Sequence, residues 1–380
     1  MSAGGNRRTR RKARFAAALA GTLLATGAGV AAAQVGGGGV GAPDPPTVGD
    51  VTCATRCLAL RTVTETGEIE LTGTGLAGVT AVRLSGADGK IKIEPDSATD
   101  TVVTATVPVG AESGKVGVVT ATGQKASSPV PIEVEPKDAI ETVEGFSVES
   151  AEATPAKSFF DSAQGSELSY LFAADDSTDV RVDVVSKETG ATVDSVVQED
   201  QEPFANHSFR WDGLDADNTV ARSGDYRFEV SQLSGGAGAG AAFGYYDHIF
   251  PLRGKHSYGD GLGAGRGHQG QDVFAKCGTK IVAARGGRVQ VNAFHSAAGY
   301  YLVIDGQKTG KDYVYMHMEQ RGRPAEGTRV HTGDVLGYES DTGDASGCHL
   351  HFELWSAPGW YEGGHVLNPT TPLKKWDKYS

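Results

Sequence analysis

Short runs of alternating apolar and polar residues recur along this chain, and turn-forming residues separate them. In the first third, such runs lie at residues 68–72, 79–84, 101–107 and 115–120, with Gly, Asp and Ser between them. Alternation with period two is typical of β-strands that bury one face. The 53 glycines in 380 residues show no collagen-like period and instead separate the strand-like runs. The pattern therefore predicts a mainly β protein and disfavours a helical bundle.

The length and the Gly-rich segments predict three folded domains. At about 150 residues per domain, the chain has room for two or three. The Gly-rich segments QVGGGGVGAPDPPT and GGAGAGAAFG cannot build a core and are typical of linkers. We expect a signal peptide at residues 1–33, a linker at 34–47, an immunoglobulin-like β-sandwich at 48–135, a second one at 142–234, a linker at 235–250, a third β-rich domain at 251–370 and a tail at 371–380.

The N-terminal segment has the pattern of an export signal. Basic residues extend to Arg14, an apolar stretch begins at Phe15, and Ala31, Ala32 and Ala33 form a small-residue cleavage site. We therefore predict secretion. The apolar stretch is longer than a usual signal core, so an uncleaved membrane anchor is the alternative.

Beyond residue 33, the negative charge lies in the middle of the chain. Residues 34–250 contain 14 Lys and Arg against 34 Asp and Glu, a net charge of −20, whereas residues 251–380 carry 15 against 13, or +2. An acidic surface repels nucleic acid and anionic lipid at long range. We therefore expect no nucleic-acid partner, and no membrane contact beyond the signal segment.

Four cysteines in an exported chain predict disulfides, and four cysteines allow three pairings. Sequence proximity favours Cys53 with Cys57, which leaves Cys277 with Cys348. A zinc knuckle at Cys53 and Cys57 is the alternative, but no second Cys or His pair lies nearby.

Residues suited to metal binding or proton transfer concentrate in three phrases of the third domain, HQGQD, YMHM and CHLHFEL. In CHLHFEL, strand alternation places His349, His351 and Glu353 on one face and the apolar residues on the other. The polar face can line a groove.

The first and last of these phrases can supply a catalytic zinc site. Such a site needs three protein ligands of N or O type and one open position for water. His268, Asp272 and one histidine of the His-x-His pair provide that set. Zinc with one carboxylate ligand keeps a net positive charge, which lowers the pKa of bound water and makes hydrolysis feasible.

The proton-transfer group is predicted to be a histidine. The chain contains no HExxH motif, so the glutamate base of that motif is absent. In DYVYMHM, alternation places Tyr313, Tyr315 and His317 on one side of a strand and the Val and Met residues toward a core. His317 and the other histidine of the His-x-His pair, the one that does not bind zinc, are the candidates.

Residues 251–369 resemble the lysostaphin/LytM-type zinc endopeptidases, metallopeptidase family 23, which cut peptide bonds in bacterial peptidoglycan. The phrases CGTKIVAARGGRV, YLVID, DYVYMHM, GTRVHTGDVLGYESDTG and HLHFEL carry the resemblance. It implies that His268, Asp272 and His351 bind zinc and that His317 and His349 are the catalytic histidines.

The resemblance also implies the fold and surroundings of the third domain. It implies an antiparallel sheet that forms the groove, one Zn²⁺ per chain, peptidoglycan peptides as substrates, and a secreted or wall-associated enzyme. The phrases LTGTGLAGVTAVRLSG and VPVGAESGKVGVVTATG resemble TIG-type immunoglobulin-like domains. WDGLDADNTVARSGDYRFEV resembles the immunoglobulin-like domain of flagellar-hook capping proteins.

Two other functions stay open from the sequence. The chain could be a zinc-binding but catalytically silent regulator of another wall hydrolase, or a surface adhesin built on its two front domains. The histidines outside the three phrases lack partners at a convincing spacing, and we expect surface or loop positions for His207, His248, His256, His295, His331 and His365.

Overall fold

The computed structural model describes residues 45–140, 145–235, 238–265 and 267–380. The predicted signal peptide and most of the first linker therefore lie outside the described residues. Within them, the chain folds into three successive β domains, which confirms the mainly β prediction. No helix in these ranges has the length and apolar character needed to cross a membrane.

The first domain is a sandwich of two sheets that enclose one apolar core. Its strands are β1 (Thr47–Cys53), β2 (Cys57–Ala59), β3 (Thr62–Thr64), β4 (Glu68–Thr74), β5 (Val79–Gly86), β6 (Gly89–Ile93), β7 (Ser97–Ala98), β8 (Val102–Thr106), β9 (Ala111–Thr120) and β10 (Lys125–Glu135), with a short 3-10 helix at Leu76–Gly78. The sheets have the orders β1-β4-β8-β7 and β2-β3-β10-β9-β5-β6. Alternate residues are buried, as Ile69 and Leu71 are in β4, so the predicted period of two explains the sandwich.

The second domain is another two-sheet sandwich, with an aromatic core. Its strands are β11 (Ser147–Thr154), β12 (Lys157–Phe159), β13 (Ser166–Ala173), β14 (Thr178–Ser186), β15 (Thr192–Gln201), β16 (His207–Trp211), β17 (Gly224–Gln232) and β18 (Ala239–Tyr246). They form sheets of order β11-β13-β16 and β12-β18-β17-β14-β15. The rings of Trp211, Tyr226 and Tyr245 pack in the core, with centroid distances of 4.8 to 5.8 Å.

The linker predicted at residues 235–250 is wrong over half of its length. Residues 239–246 form strand β18, which pairs with β17 and β12 inside the second domain. Ala241, Phe243 and Tyr245 alternate along it and are buried. Gly240 is needed for the close approach of β17, because a Cβ there would lie 2.0 Å from the Phe228 carbonyl oxygen. The glycines that indicated flexibility therefore serve tight strand pairing.

The third domain carries the predicted antiparallel sheet. Its strands are β19 (Leu252–Arg253), β20 (His256–Tyr258), β21 (Gln271–Ala275), β22 (Lys280–Val282), β23 (Gly287–His295), β24 (Gly299–Gly306), β25 (Lys311–Met318), β26 (Arg329–Val330), β27 (Val335–Tyr338), β28 (His349–Ser356) and β29 (Val366–Leu367). One sheet has the order β20-β21-β28-β25-β24-β23-β26, with β29 beside β28, and a smaller one has the order β19-β22-β27. Apolar residues of both sheets share one core.

The predicted tail at residues 371–380 is also wrong. Residues Thr370–Asp377 form an α-helix, α1, and its Leu373 and Trp376 belong to the core of the third domain. Their spacing of three residues puts both side chains on one face of the helix. Burial of these two apolar side chains fixes the C-terminal segment to the domain.

The second and third domains meet at a buried arginine. Arg285 is 1% exposed, its guanidinium lies 4.0 Å from the ring centre of Phe160, and it donates hydrogen bonds to the carbonyl oxygens of Asp247 and Gln307. These contacts join the two domains through a packed interface.

Aromatic contacts extend the same interface. The ring of Tyr246 stacks on Tyr379 at 3.9 Å. His248 stacks on Trp376 at 4.5 Å and shares a 2.6 Å hydrogen bond with the Tyr313 hydroxyl. His248 therefore lies in the loop between β18 and β19, within the predicted surface or loop positions, but α1 covers it.

Candidate metal centre

Two neighbouring strands bring the predicted ligands together. In the register of β21 and β28, Asp272 lies directly opposite His351. Along β28, His349, His351 and Glu353 alternate with residues whose side chains enter the domain core. His349, His351 and Glu353 therefore share one face of β28, as predicted. The pairing of β21 with β28 places the Asp272 carboxylate beside the His351 imidazole.

His268 reaches the same place from the loop before β21. Its backbone N–H donates to the Ala264 carbonyl and its own carbonyl accepts from Gly263, so the Gly-rich segment folds back on itself. Gly270 lets the loop approach β28, because a Cβ there would lie 2.6 Å from His351 Nε2. A larger residue at this position would displace the imidazole.

The donor atoms of His268, Asp272 and His351 all lie within 4.8 Å of one another. Asp272 Oδ1 lies 3.0 Å from His268 Nε2 and 2.9 Å from His351 Nδ1. Ligand atoms about 2.0–2.1 Å from a tetrahedral zinc ion stand about 3.3 Å apart. Two nitrogen donors and one carboxylate oxygen at these distances fit zinc and leave a fourth position open.

Hydrogen bonds to the outer ring nitrogens orient both histidines of the donor group. His268 Nδ1 donates to the Gly261 carbonyl oxygen at 2.9 Å, and His351 Nε2 donates to Glu353 Oε1 at 3.0 Å. Each bond holds the ring so that its other nitrogen faces Asp272. Such outer partners fix the tautomer and raise the basicity of a ligating imidazole.

His317 joins the site through a bulge near the end of β25. Its backbone is left-handed, with φ of 58°, and the register of β24 and β25 shifts between Tyr300 and Leu302. The extra residue reverses the alternation at this point. Tyr313 and Tyr315 therefore lie buried in the core, while His317 packs against His349. The prediction that both tyrosines share the side of His317 is wrong.

His317 and His349 form a pair beside the three donor residues. Their ring centres are 4.5 Å apart, and His349 Nε2 lies 3.7 Å from Asp272 Oδ1. His317 Nδ1 donates to the Thr342 carbonyl oxygen at 2.7 Å and His349 Nδ1 to that of Gly347 at 2.8 Å. The Nε2 atom of each ring is therefore left to accept a proton.

The charges of the centre are strongly coupled. Burial, together with the neighbouring His349 and His351, lowers the pKa of His317 to about 4, so this imidazole is neutral near pH 7. Burial lowers the pKa of His351, but hydrogen bonds from the ring to Asp272 and Glu353 outweigh it and raise the pKa to about 9. Burial raises the pKa of Asp272, yet the His351 hydrogen bond and the surrounding imidazoles bring it below its usual value.

Two carboxylates behind the centre have roles that the sequence did not assign. Glu353 is buried and accepts hydrogen bonds from His351 Nε2 and, at 2.7 Å, from the Trp355 indole N–H. Glu339 is fully buried and accepts from the Ala275 backbone N–H at 2.8 Å. Burial raises the pKa of Glu339 to about 7. Strand alternation predicted that Glu353 shares a face with His349 and His351, whereas no local sequence pattern indicates the burial of Glu339.

Both predicted disulfides are confirmed. Cys53 and Cys57 are bonded at a separation of 4 residues, which removes the zinc-knuckle alternative. Cys277 and Cys348 are bonded across 71 residues. The second bridge links the turn after β21 to the residue before His349. It therefore joins the strand that carries Asp272 to the strand that carries His351.

Comparison with known proteins finds two family matches along this chain. Residues 266–369 match peptidase family M23, and residues 158–236 match the FlgD Ig-like domain. The second match confirms the resemblance predicted for the second domain. The first match spans the donor residues and the histidine pair.

Individual relatives match only part of the chain. An uncharacterized metalloprotease of Haemophilus influenzae is 31% identical over 109 residues, which are 28% of this chain and 21% of that protein. The peptidoglycan DD-endopeptidase ShyC of Vibrio cholerae is 34% identical over 91 residues, 23% of this chain and 20% of its own length. This chain thus spans about a fifth of the curated relatives it matches.

Among solved structures, the catalytic domain of lysostaphin from Staphylococcus simulans aligns with a TM-score of 0.29 and 24% identity, covering 31% of this chain and 92% of that domain. The family match itself covers all five histidine and aspartate residues of the centre. The likeness to peptidase family M23 therefore lies in the C-terminal part of this chain, at residues 266–369.

Proposed function

We propose that the chain is a zinc metalloendopeptidase that hydrolyses peptide bonds in the stems or cross-links of peptidoglycan. The proposal rests on one observation. Four imidazoles surround Asp272, and in each of them one ring nitrogen is hydrogen-bonded to a carbonyl or carboxylate oxygen, while the other nitrogen remains available to the site. The names of the matched relatives, a metalloprotease and a peptidoglycan endopeptidase, support this reaction and this substrate.

His268, Asp272 and His351 would hold one zinc ion through two nitrogens and one oxygen. When bound, zinc polarises a peptide carbonyl and activates water for attack. Glu353 and the Gly261 carbonyl keep the two ligand rings in place. The disulfide between β21 and β28 holds the strands that present them.

His317 and His349 would move the proton and stabilise the developing negative charge. The Nε2 atom of either ring can accept a proton, since Nδ1 donates to a backbone carbonyl in both. After accepting a proton, each ring becomes a cationic donor that can hydrogen-bond an oxyanion or protonate the leaving amine. The 4.5 Å between the ring centres allows both to face the same peptide bond.

The proposed location is outside the cytoplasm. Both disulfides support it, because such bonds persist in oxidising compartments. The named relatives that act on peptidoglycan support it as well. Secretion through the segment at residues 1–33 remains a prediction from the sequence.

The test separates the two histidines of the His-x-His pair. Their Cα atoms lie about 6.6 Å apart along the strand, so one can ligate while the other faces the open position. We expect His351→Ala to lose zinc and activity together. We expect His349→Ala to keep zinc and to lose about 10²–10⁴-fold in rate. Mass spectrometry measures the zinc content. Turnover is measured on defined muropeptides, and the released fragments also identify the bond that is cut.

The exposed His295 provides a matched control, since His295→Ala should keep zinc, fold and rate. Circular dichroism of each variant separates a lost ligand from a lost fold. If His349→Ala lacked zinc while folded, or His351→Ala kept full zinc, the two roles would have to be exchanged. Stoichiometric zinc in the wild-type protein without turnover on any muropeptide or purified wall would instead favour the silent-regulator alternative.

A further inference from the structure

The first domain presents a cluster of cations on one sheet. Its members lie on four neighbouring strands, in the order β6-β5-β9-β10, and are Lys90, Arg83, Lys115 and Lys125. Neighbouring strands are about 4.8 Å apart, so the cluster extends about 14 Å across the sheet. Lys125 pairs with Val119, four residues along β9 from Lys115, so the cluster also extends about 13 Å along the strands. The whole segment from 34 to 250 is strongly acidic, and this face is the exception to its overall charge.

Strand alternation places the basic side chains on the outer face of the sheet and the apolar side chains in the core. Val82, Leu84, Val116 and Val118 enter the core, which leaves their neighbours on the outer face. Five of the seven Lys and Arg residues between 48 and 135 belong to β6, β5, β9 and β10, the fifth being Lys92 on β6. Among the described residues, none of the five is in an ion pair with a carboxylate.

The cluster surrounds an open depression of about 380 Å³. Among the residues that the structure describes, no acidic side chain lines it, and Ser127 and the main chain at Gly117 form part of its floor. A Cβ at Gly117 would lie 3.7 Å from the Arg83 Cβ atom, so the missing side chain keeps the middle of the cluster open. The four cationic groups can therefore converge on one ligand.

We propose that this face binds an extended polyanion that carries a phosphodiester in each repeat, as an anionic polymer of the cell wall does. A single phosphate spans only one or two of the cations, whereas a chain of phosphates can contact all four, which are spread over about 14 Å across the sheet and about 13 Å along it. The choice of a wall polymer over nucleic acid rests on the proposed function and on the disulfides, which indicate an oxidising compartment. The acidic surface around this face would repel a broad anionic membrane, whereas a thin polymer chain can contact the cations without approaching that surface.

The number of cations fixes the expected salt dependence. A flexible polyanion that contacts Z cations shows a slope of about −0.7Z in log affinity against log salt concentration. Four contacts give about −2.8, so raising salt from about 50 to about 200 mM should weaken binding about 50-fold. Removing two cations should halve the slope.

The experiment uses the full chain and a soluble poly(glycerol phosphate), with affinity measured by calorimetry at several salt concentrations. Lys115→Ala with Lys125→Ala should weaken binding at least tenfold and reduce the slope to about −1.4. The matched control is Lys187→Ala with Lys255→Ala, two exposed lysines outside the first domain, which changes the net charge equally. It should bind like the wild type, and melting curves should show all proteins folded.

Unchanged binding in Lys115→Ala with Lys125→Ala, or an equal loss in the control, would overturn the proposal. So would tighter binding of phosphatidylglycerol vesicles or duplex DNA than of the polymer at the same salt. His349→Ala should bind the polymer like the wild type. The hydrolysis of small soluble muropeptides should be unaffected by the two lysine substitutions, so failure of the binding site and failure of the proposed peptidase activity give different results.

Discussion

Replacing Arg285 with methionine tests whether the second domain is a structural part of the catalytic unit. The guanidinium donates three hydrogen bonds, one to the Asp247 carbonyl at 2.6 Å and two to the Gln307 carbonyl at 3.0 and 2.8 Å. It also lies over the ring of Phe160. Methionine has a similar length and keeps the apolar contact, but it leaves both carbonyl oxygens without a donor.

The magnitude follows from these contacts. A buried polar group left unpaired costs about 1–3 kcal/mol, so the two carbonyls together cost about 2–6 kcal/mol. Burial lowers the pKa of Arg285, which shows that the charged form is itself destabilised there. Removing the charge recovers part of that cost. We therefore expect the free energy of unfolding to fall by about 2–4 kcal/mol in Arg285→Met.

Urea unfolding followed by tryptophan fluorescence measures this change. Trp211 lies in the second domain, and Trp355, Trp360 and Trp376 lie in the third, so a single transition in the summed fluorescence would show that both domains unfold together. The control is Arg288→Met, an exposed arginine with one hydrogen bond to the Gly327 carbonyl. If Arg285→Met stayed within about 0.5 kcal/mol of wild type, as an ordinary surface substitution does, the buried hydrogen bonds would not hold the interface.

Three further results are expected. Glu353→Gln should weaken zinc binding about 10–100-fold, because the amide is a poorer acceptor for His351 Nε2; chelator competition measures this, and unchanged affinity would contradict the orienting role. Glu339 has a folded pKa of about 7, above its unfolded value of about 4.3. Its contribution to stability is therefore fully present below about pH 4 and is lost as the pH rises through 7. Glu339→Gln should flatten the fall in urea midpoint between about pH 5 and pH 8, and parallel curves for the two proteins would refute it. Cys277→Ala with Cys348→Ala should lower the free energy of unfolding by about 2–4 kcal/mol, since the bridge closes a long loop; an unchanged midpoint would show that the bridge adds no stability.

Local periodicity was enough to predict the strand of the third domain that carries the His-x-His pair. His349, His351 and Glu353 share a face because side chains in any strand alternate, whatever its neighbours are. The disulfide pairing followed from cysteine count and proximity, and both bridges occur in the structure. The same alternation in AGAAFGYY could have revealed β18, but the glycines were interpreted as a sign of flexibility.

Other features arise from contacts between distant segments, which local patterns do not specify. The left-handed backbone at His317 reverses the alternation of β25, and only pairing with β24 reveals the extra residue. Arg285 looks like any surface arginine in the sequence until the second domain covers it. Glu339 is likewise marked only by its burial.

The sequence by itself determined the β class, the cysteine pairs and the residues available to bind a metal, because composition and strand period are local properties. The tertiary structure alone decided which of them meet. Strand order places Asp272 opposite His351, and it brings Lys90, Arg83, Lys115 and Lys125 onto four neighbouring strands of a domain whose net charge is negative. Register and strand order depend on pairings across tens of residues, and the free energy that selects them comes from the shared burial of whole faces.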